Sequence, residues 1–337
     1  MESYIEIAGR HIGKGYPTYI VAEMGINHNG DINLALELIR AASEAGADAV
    51  KAQIVNANRS YTKNSISYTV FKKAEFTDQQ WRRIAEQGKM AGIDVFATFA
   101  TPSELWQSEK LKLPCVKISS GNITNFPLLK AIARLGKPVL MSTGMGYLSE
   151  VDEAVRFLEG NGQQQIGILQ CTSLYPTRAL EVDLRAIRTL KLAFPKHPIG
   201  FSDHTLGIHC AIAAVTLGAR IIEKHFTLDQ DMEGPDHHFS SDPNELKRLV
   251  EAVREVELAL GSSAKGPGER EIALRDKFHR SLVASVDIDA GDCLKPENMS
   301  AKRSGSPGIA PKYLDIVTGR VAKRRIPRDT PITWDLI

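Results

Sequence analysis

One pattern recurs along most of the chain: a short apolar run, a loop, then a stretch whose apolar residues return at helical spacing. It follows a weakly alternating opening, residues 2–12, that predicts a hairpin turning at Ala8-Gly9. The first run is 19–23 and its helix 33–45, stopped by Gly46. The second, 49–53, leads into a long polar loop at 54–76 and a helix at 77–91, with Thr77 as its cap and Gln80 three residues on. Runs at 94–98, 115–118, 138–142 and 166–170 precede helices near 102–111, 126–135, 149–159 and 184–193. The last two runs, 199–202 and 220–223, precede helices at 208–217 and 244–261. Eight strand–helix units over about 260 residues predict a (β/α)8 TIM barrel. A doubly wound open sheet would show fewer units and a Gly-rich fingerprint, and no GxGxxG follows a run here.

The pattern stops at 262–268, where Ser, Gly and Pro cluster. A charged connector, predicted helical over 269–277, leads to short strands and turns. The organisation read from this is a barrel with its hairpin over 1–261, a linker over 262–281 and a small β-rich domain over 282–337. A domain of about 55 residues has a small core, so it is expected to pack on the barrel or on a partner chain.

Composition narrows the function classes. Apolar residues make up 43% of the chain and the formal net charge is +2, which gives no overall attraction to nucleic acid or to a membrane surface. No run approaches the roughly 20 apolar residues of a membrane span, and the start lacks the apolar segment of a secretory signal. The cysteines, Cys115, Cys171, Cys210 and Cys293, form no CxxC and read as reduced thiols of a cytoplasmic protein. Segment 302–328 carries eight Lys/Arg against one acid, Asp315, and reads as a solvated face.

In such a barrel the chemistry lies where the strands end. Those ends read Glu23 with Asn27 and His28; Lys51 and Gln53; Thr98; Lys117 with Ser119 and Ser120; Ser142 and Thr143; Thr172, Ser173 and Tyr175; Ser202, Asp203 and His204; Lys224 and His225. The opposite ends read Pro, Gly, Asp or Ala. His204 and His225 are 21 residues apart on consecutive parallel strands, which brings two imidazoles together. Neutral imidazole suits Mn, Fe, Co or Zn, although hydrogen-bonded loop histidines would read the same way. Lys51 and Lys117 with Ser120, Ser142 and Ser202 would make a cationic, hydroxyl-rich pocket for a phosphate. The turn 142–146 adds amides that an anion could approach. Pairing of the lysines with Glu23 or Glu223, and serines that cap helices, are the structural alternatives. Glu23, closing an apolar run, reads as a general base or an anchor for metal-bound water.

Several segments together resemble one family. AEMGINHNGD, VKAQ, VKISSGN, LMSTGM, QCTSLYP, GFSDHTLG, EKHFTLD and GPDHHFS are similar, in order, to the signature segments of the sialic acid synthases. Those enzymes condense phosphoenolpyruvate with an N-acylated hexosamine. The tail RSLVASVDIDAGDCLKPENMSAKRSGSPGIAP resembles their antifreeze-like (SAF) domain. The resemblance implies a barrel plus SAF domain in a domain-swapped homodimer, with Mn²⁺ on His204 and His225. It implies that Lys51, Thr98, Lys117, Ser120, Ser142, Ser173 and Ser202 hold phosphoenolpyruvate. Glu23, Gln53, Tyr175 and Asp236 would face the sugar, Arg303 of the partner subunit would meet its N-acyl group, and Glu23, Lys51 and His225 would be catalytic. Ala52 stands where the family often has Phe, Ser119 where it has Gly, Asn122 where it has Glu and Ser173 where it has Asn. With the loop 56–76 and the pair His237-His238, these differences bear on which sugar is taken. The alternative acceptor is a 2,4-diacetamido-trideoxyhexose, giving legionaminic or pseudaminic acid.

Overall fold

The computed structural model describes residues 4–337, so residues 2 and 3 of the expected hairpin lie outside it. The chain divides into two compact units, one ending at Gly261 and one spanning Ser262–Ile337.

The first unit opens with the hairpin β1 (Tyr4–Ile7) and β2 (Arg10–Gly13). Its turn residues Ala8 and Gly9 both have positive φ, 50° and 79°, which matches the twist of a two-residue hairpin. Eight strands follow: β3 (Tyr19–Gly25), β4 (Ala49–Ile54), β5 (Asp94–Phe99), β6 (Val116–Ile118), β7 (Val139–Ser142), β8 (Ile166–Cys171), β9 (Ile199–Asp203) and β10 (Ile221–His225). All pair in parallel and close into a barrel, with β10 bonded to β3.

Helices α1 (Ile32–Glu44), α4 (Asp78–Ala91), α6 (Phe126–Ala133), α7 (Leu148–Gly160), α8 (Ala186–Ala193), α9 (His209–Thr216) and α10 (Pro243–Leu260) follow the expected order. Thr77 and Gln80 form the reciprocal cap expected for α4. Two expectations change. The segment read as a long loop holds α2 (Ala57–Ser60) and α3 (Ile66–Lys73); α3 buries no residue, so it has no apolar stripe to read. The helix expected at 102–111 is a 3-10 turn followed by the short α5 (Trp106–Lys110).

Successive strand residues point to opposite faces. On β3, Ile20, Ala22 and Met24 join the core beneath the helices, while Tyr19 and Val21 join a second cluster with Phe96, Leu140, Leu169 and Ile221. That inner cluster also takes in Ile5, Ile7 and Ile12 of the hairpin, so the floor of the barrel is filled from below. Room inside is tight. A Cβ on Gly200 would lie 2.7 Å from both Cβ and O of Ile221, so glycine is needed there. Above the apolar floor, the same inward phase continues as Glu23, Lys51, Thr98, Lys117, Ser142, Ser202, Glu223 and His225. The register sets Glu23 beside both Lys51 and His225, and Lys117 beside Thr98.

The second unit begins with the short helices α11 (Glu269–Ile272) and α12 (Arg275–Phe278), where a single helical connector was expected. Strands β11 (Ser281–Ala284) and β12 (Met299–Lys302) pair antiparallel, and α13 (Leu314–Val317) follows. Its own core includes Leu282, Ile288, Leu294, Ile309, Ile326 and Ile332.

Candidate active site

The polar tips of the strands line a cavity of about 620 Å³ at the barrel mouth. Glu223 is its electrostatic hub. Its Oε1 lies 2.8 Å from Lys51 Nζ and 3.8 Å from Lys117 Nζ, and accepts a 2.9 Å bond from Ser202 Oγ. Lys51 also lies 3.3 Å from Glu23 Oε2, while Gln53 Nε2 donates to Glu23 Oε1 at 2.9 Å. Lys117 donates to Ser142 Oγ at 2.5 Å. Glu23, Lys51, Lys117 and Glu223 are all buried.

Four charges so close in low dielectric set one another's protonation. Burial would raise Glu223, but Lys117 and Lys51 outweigh it and hold the carboxyl at about 2. Burial pushes Glu23 up; Lys51 opposes this, Glu223 adds to it, and the carboxyl stands at about 7. Burial alone would lower Lys51, yet Glu223 and Glu23 hold it above the usual lysine range. Burial pushes Lys117 down and Glu223 only partly offsets it, leaving about 8.

Several buried atoms at this mouth lack a hydrogen-bond partner: Thr98 Oγ1, Ser173 Oγ, Glu223 Oε2 and His225 Nδ1. An unpaired buried polar group costs about 1–3 kcal/mol, so four in one cavity describe a surface shaped for a polar ligand.

His204 and His225 meet as the strand order implies, with ring centroids 5.3 Å apart. Tyr175 lies over His204 at 4.3 Å and Phe239 against His225 at 4.9 Å. Nδ1 of His204 is 2.7 Å from the Thr172 carbonyl, to which it donates, leaving Nε2 for the cavity. Burial would lower His204; Cys171 and the Thr172 carbonyl outweigh it and raise it. Burial, then His204 and Lys51, hold His225 well below the ordinary histidine value. The 3.7 Å approach of Asp236 Oδ2 to His225 Nδ1 is therefore a contact with a neutral ring rather than an ion pair. Two neutral-capable imidazoles, one with an orphaned nitrogen, fit a borderline divalent metal. Among the described residues no third His, Cys, Asp or Glu completes a protein cage.

Of the remaining expected site residues, Gln53, Ser120, Ser173, Tyr175 and Asp236 line the same cavity. Arg303 lies in the second unit, where its guanidinium stacks on Phe278 at 5.4 Å. The amide of Gly144 does not face an anion: it donates to Ser120 Oγ at 2.9 Å. A Cβ at Gly144 would sit 2.3 Å from Ser173 Oγ, so that turn serves close packing. Lys224 and Asp203 take the outward phase of their strands and pair at 3.0 Å behind the wall. His237 is fully buried and does not line the cavity, so it makes no direct sugar contact. Among the strand residues that line the cavity, two are not marked as site residues by the sequence, Glu223 and Cys171. Glu223 was read only as a partner for lysine, although its position two before His225 gives it the same inward phase. Cys171, read as a core thiol, faces the mouth 3.5 Å from Ser120 Oγ.

Residues 38–265 match the family model described as the NeuB family, and residues 279–337 match the SAF domain. The chain belongs to the NeuB family. That family includes sialic acid and legionaminic acid synthases. Among NeuB relatives, an uncharacterized protein of Methanocaldococcus jannaschii is 44% identical over 98% of each chain. The N,N'-diacetyllegionaminic acid synthase of Campylobacter jejuni is 40% identical, over 93% of this chain and 98% of its own. The crystal structure of N-acetylneuraminic acid (sialic acid) synthetase from Leptospira borgpetersenii serovar Hardjo-bovis, in complex with citrate, superposes with a TM-score of 0.77 at 34% identity. That match covers 82% of this chain and 98% of the other. Among the described residues of this NeuB-family chain, no helix is long and apolar enough to cross a membrane.

Proposed function

We propose that this chain condenses phosphoenolpyruvate with the open-chain form of an N-acylated amino hexose, giving a nine-carbon 2-keto sugar acid and inorganic phosphate. One observation carries the reading: a two-lysine, hydroxyl-lined cradle and a two-imidazole half-site share one cavity. Lys51, Lys117, Ser142 and Ser202, with Ser120, Thr98 and Ser173, hold the phosphate and carboxylate, and the partnerless hydroxyls of Thr98 and Ser173 gain acceptors. A new C–C bond joins the methylene carbon of phosphoenolpyruvate to the aldehyde carbon. The former aldehyde oxygen takes up a proton to become a hydroxyl, water adds to C2, and the C2–O bond to phosphate then breaks as the new C2 hydroxyl gives up its proton and becomes the ketone. Glu23, poised near neutrality at about 7 and oriented by Gln53, takes the proton of that water. Gln53, Tyr175 and Asp236 face the sugar, and Arg303 of the partner subunit meets its N-acyl group in a domain-swapped homodimer. A divalent metal, Mn²⁺ on the family resemblance, would be held by His204 and His225 and would supply Lewis-acid polarisation of the aldehyde. The four free cysteines fit a reducing cytoplasm.

A second acceptor class has its own support. The outer wall of the cavity is formed by Val55, Tyr61, Ile66, Val70 and Phe71, and Lys51 and Lys117 are its only Lys/Arg among the described residues. Both ammonium groups lie at the cradle, so a 6-phosphate on the sugar would find no counter-charge there. A 6-methyl group would pack on that wall, which favours a 2,4-diacetamido-trideoxyhexose.

The test is phosphate release from phosphoenolpyruvate with N-acetylmannosamine, its 6-phosphate and a diacetamido-trideoxyhexose, with and without chelator. The expected result is release that needs both substrates, stops with chelator and is slowest with the 6-phosphate. No release with any sugar, or equal turnover of free pyruvate, would overturn the assignment. The pH profile adds a second check. The anion-binding form of Lys117 is the protonated one, present below about 8. Because kcat/KM reports the free enzyme, its value for phosphoenolpyruvate should rise as Glu23 loses its proton near 7 and fall by about tenfold per pH unit above about 8. A flat profile to pH 9.5 would contradict the role of Lys117.

A further inference from the structure

We propose that His237 is a positioning residue: its buried ring latches the segment after β10 onto the turn after β3, and so holds Asp236 facing the cavity. The inference rests on the proposed function only in assigning the acceptor sugar to Asp236.

Proton accounting specifies the latch. The Nδ1 of His237 is 2.7 Å from Thr227 Oγ1. That hydroxyl has one proton and donates it to the Asp229 carbonyl at 2.9 Å, so it accepts from Nδ1–H. Nε2 is then an acceptor, and Asn29 Nδ2 lies 3.3 Å from it. The other proton of that amide goes to the Glu233 carbonyl at 2.8 Å. One neutral tautomer thus links Thr227 through the ring to Asn29 of another loop, and Asn29 itself holds Glu233.

Two further observations agree. Gly234 has a φ of 153° and lies close against the ring: a Cβ there would come within 2.6 Å of His237 Cδ2 and 2.9 Å of Nε2. On the other side of Asp236, Ser240 Oγ donates to the Asp236 carbonyl at 2.5 Å and accepts from Asn27 Nδ2 at 2.9 Å. Asn27 and Asn29 both belong to the turn that follows β3, the strand carrying Glu23. Asp236 is thereby clamped between two tethers to one turn. Its carboxylate stops 3.7 Å from His225 Nδ1, although the residues before it, Glu233 to Pro235, are exposed.

The test uses the full-length, metal-loaded protein and compares His237→Ala, His237→Gln and Asn29→Ala with wild type. Asn29 is exposed but has a φ of 50°, so Asn29→Ala adds local turn strain while leaving the core intact if the ring substitution does not, and Asn29→Gly, which tolerates that φ, controls for the strain. Hydrogen exchange of the amides in 229–241 should rise at least tenfold in His237→Ala, with part of the rise in Asn29→Ala. His237→Gln, whose amide oxygen can accept from Asn29, should recover part of the protection. In turnover assays KM for the sugar should rise about tenfold, as in Asp236→Asn, while KM for phosphoenolpyruvate stays within twofold. Exchange within twofold of wild type in both His237→Ala and Asn29→Ala overturns the latch whatever the activity. Equal rises in both KM values would show general damage and overturn it too. A wild-type protein that turns over no sugar defeats the proposed function alone, since the exchange measurement does not depend on turnover.

Discussion

Lys51→Met is expected to lose both turnover and stability. The ammonium separates two buried carboxylates, lying 2.8 Å from Glu223 and 3.3 Å from Glu23. Removing one partner of a buried ion pair costs about 3–5 kcal/mol, because the remaining charge stays without water. In activity, loss of a desolvated charge contact to an anionic substrate should lower kcat/KM for phosphoenolpyruvate by about 10³-fold. The double variant Lys51→Met/Glu23→Gln separates the two effects, because Glu223 keeps Lys117 as its partner and Glu23 is the carboxylate left over. It removes the stranded charge, so urea unfolding should show much of the lost stability restored while phosphate release stays absent. A single variant as stable as wild type would mean that the Lys51–Glu223–Glu23 cluster is not the buried network described.

His225→Ala should abolish turnover, by at least about 10³-fold in kcat, since Lewis-acid polarisation contributes several kcal/mol. Here stability should behave in the opposite way. His225 is neutral with an unpartnered nitrogen, so the metal-free variant loses packing against Tyr175 and Phe239 but strands no charge. Wild type with Mn²⁺ at a hundred times its dissociation constant should gain about 2.7 kcal/mol, and the variant should gain almost none. Metal analysis after dialysis should show the ion on wild type only. A variant that keeps both its metal and its rate would remove His225 from the chemistry.

Much of the site was legible because a parallel barrel gathers its strand ends at one mouth. Lys51, Lys117, Ser142, Ser202 and both imidazoles could be named from their places at the ends of apolar runs. What was misplaced was misplaced by phase. Asp203 and Lys224 stand at strand ends too, yet they point outward and pair with each other. Glu223 stands one residue before Lys224 and points inward as the hub. Within β9 and β10 every residue is buried, so neither face looks wetter than the other along the chain.

The repeating order of apolar run and amphipathic helix, eight times over, is a property of local residues and was enough to determine the barrel and the end at which its polar strand tips gather. The hub at Glu223, the outward pair behind it and the tautomer-specific latch at His237 were decided only by the closed sheet. Each depends on which side of a wholly buried strand, or which loop from a distant part of the chain, comes to lie against a given side chain. That information resides in the register between strands and in proton accounting among residues some 200 positions apart, such as Asn29 and His237; no window of sequence contains it.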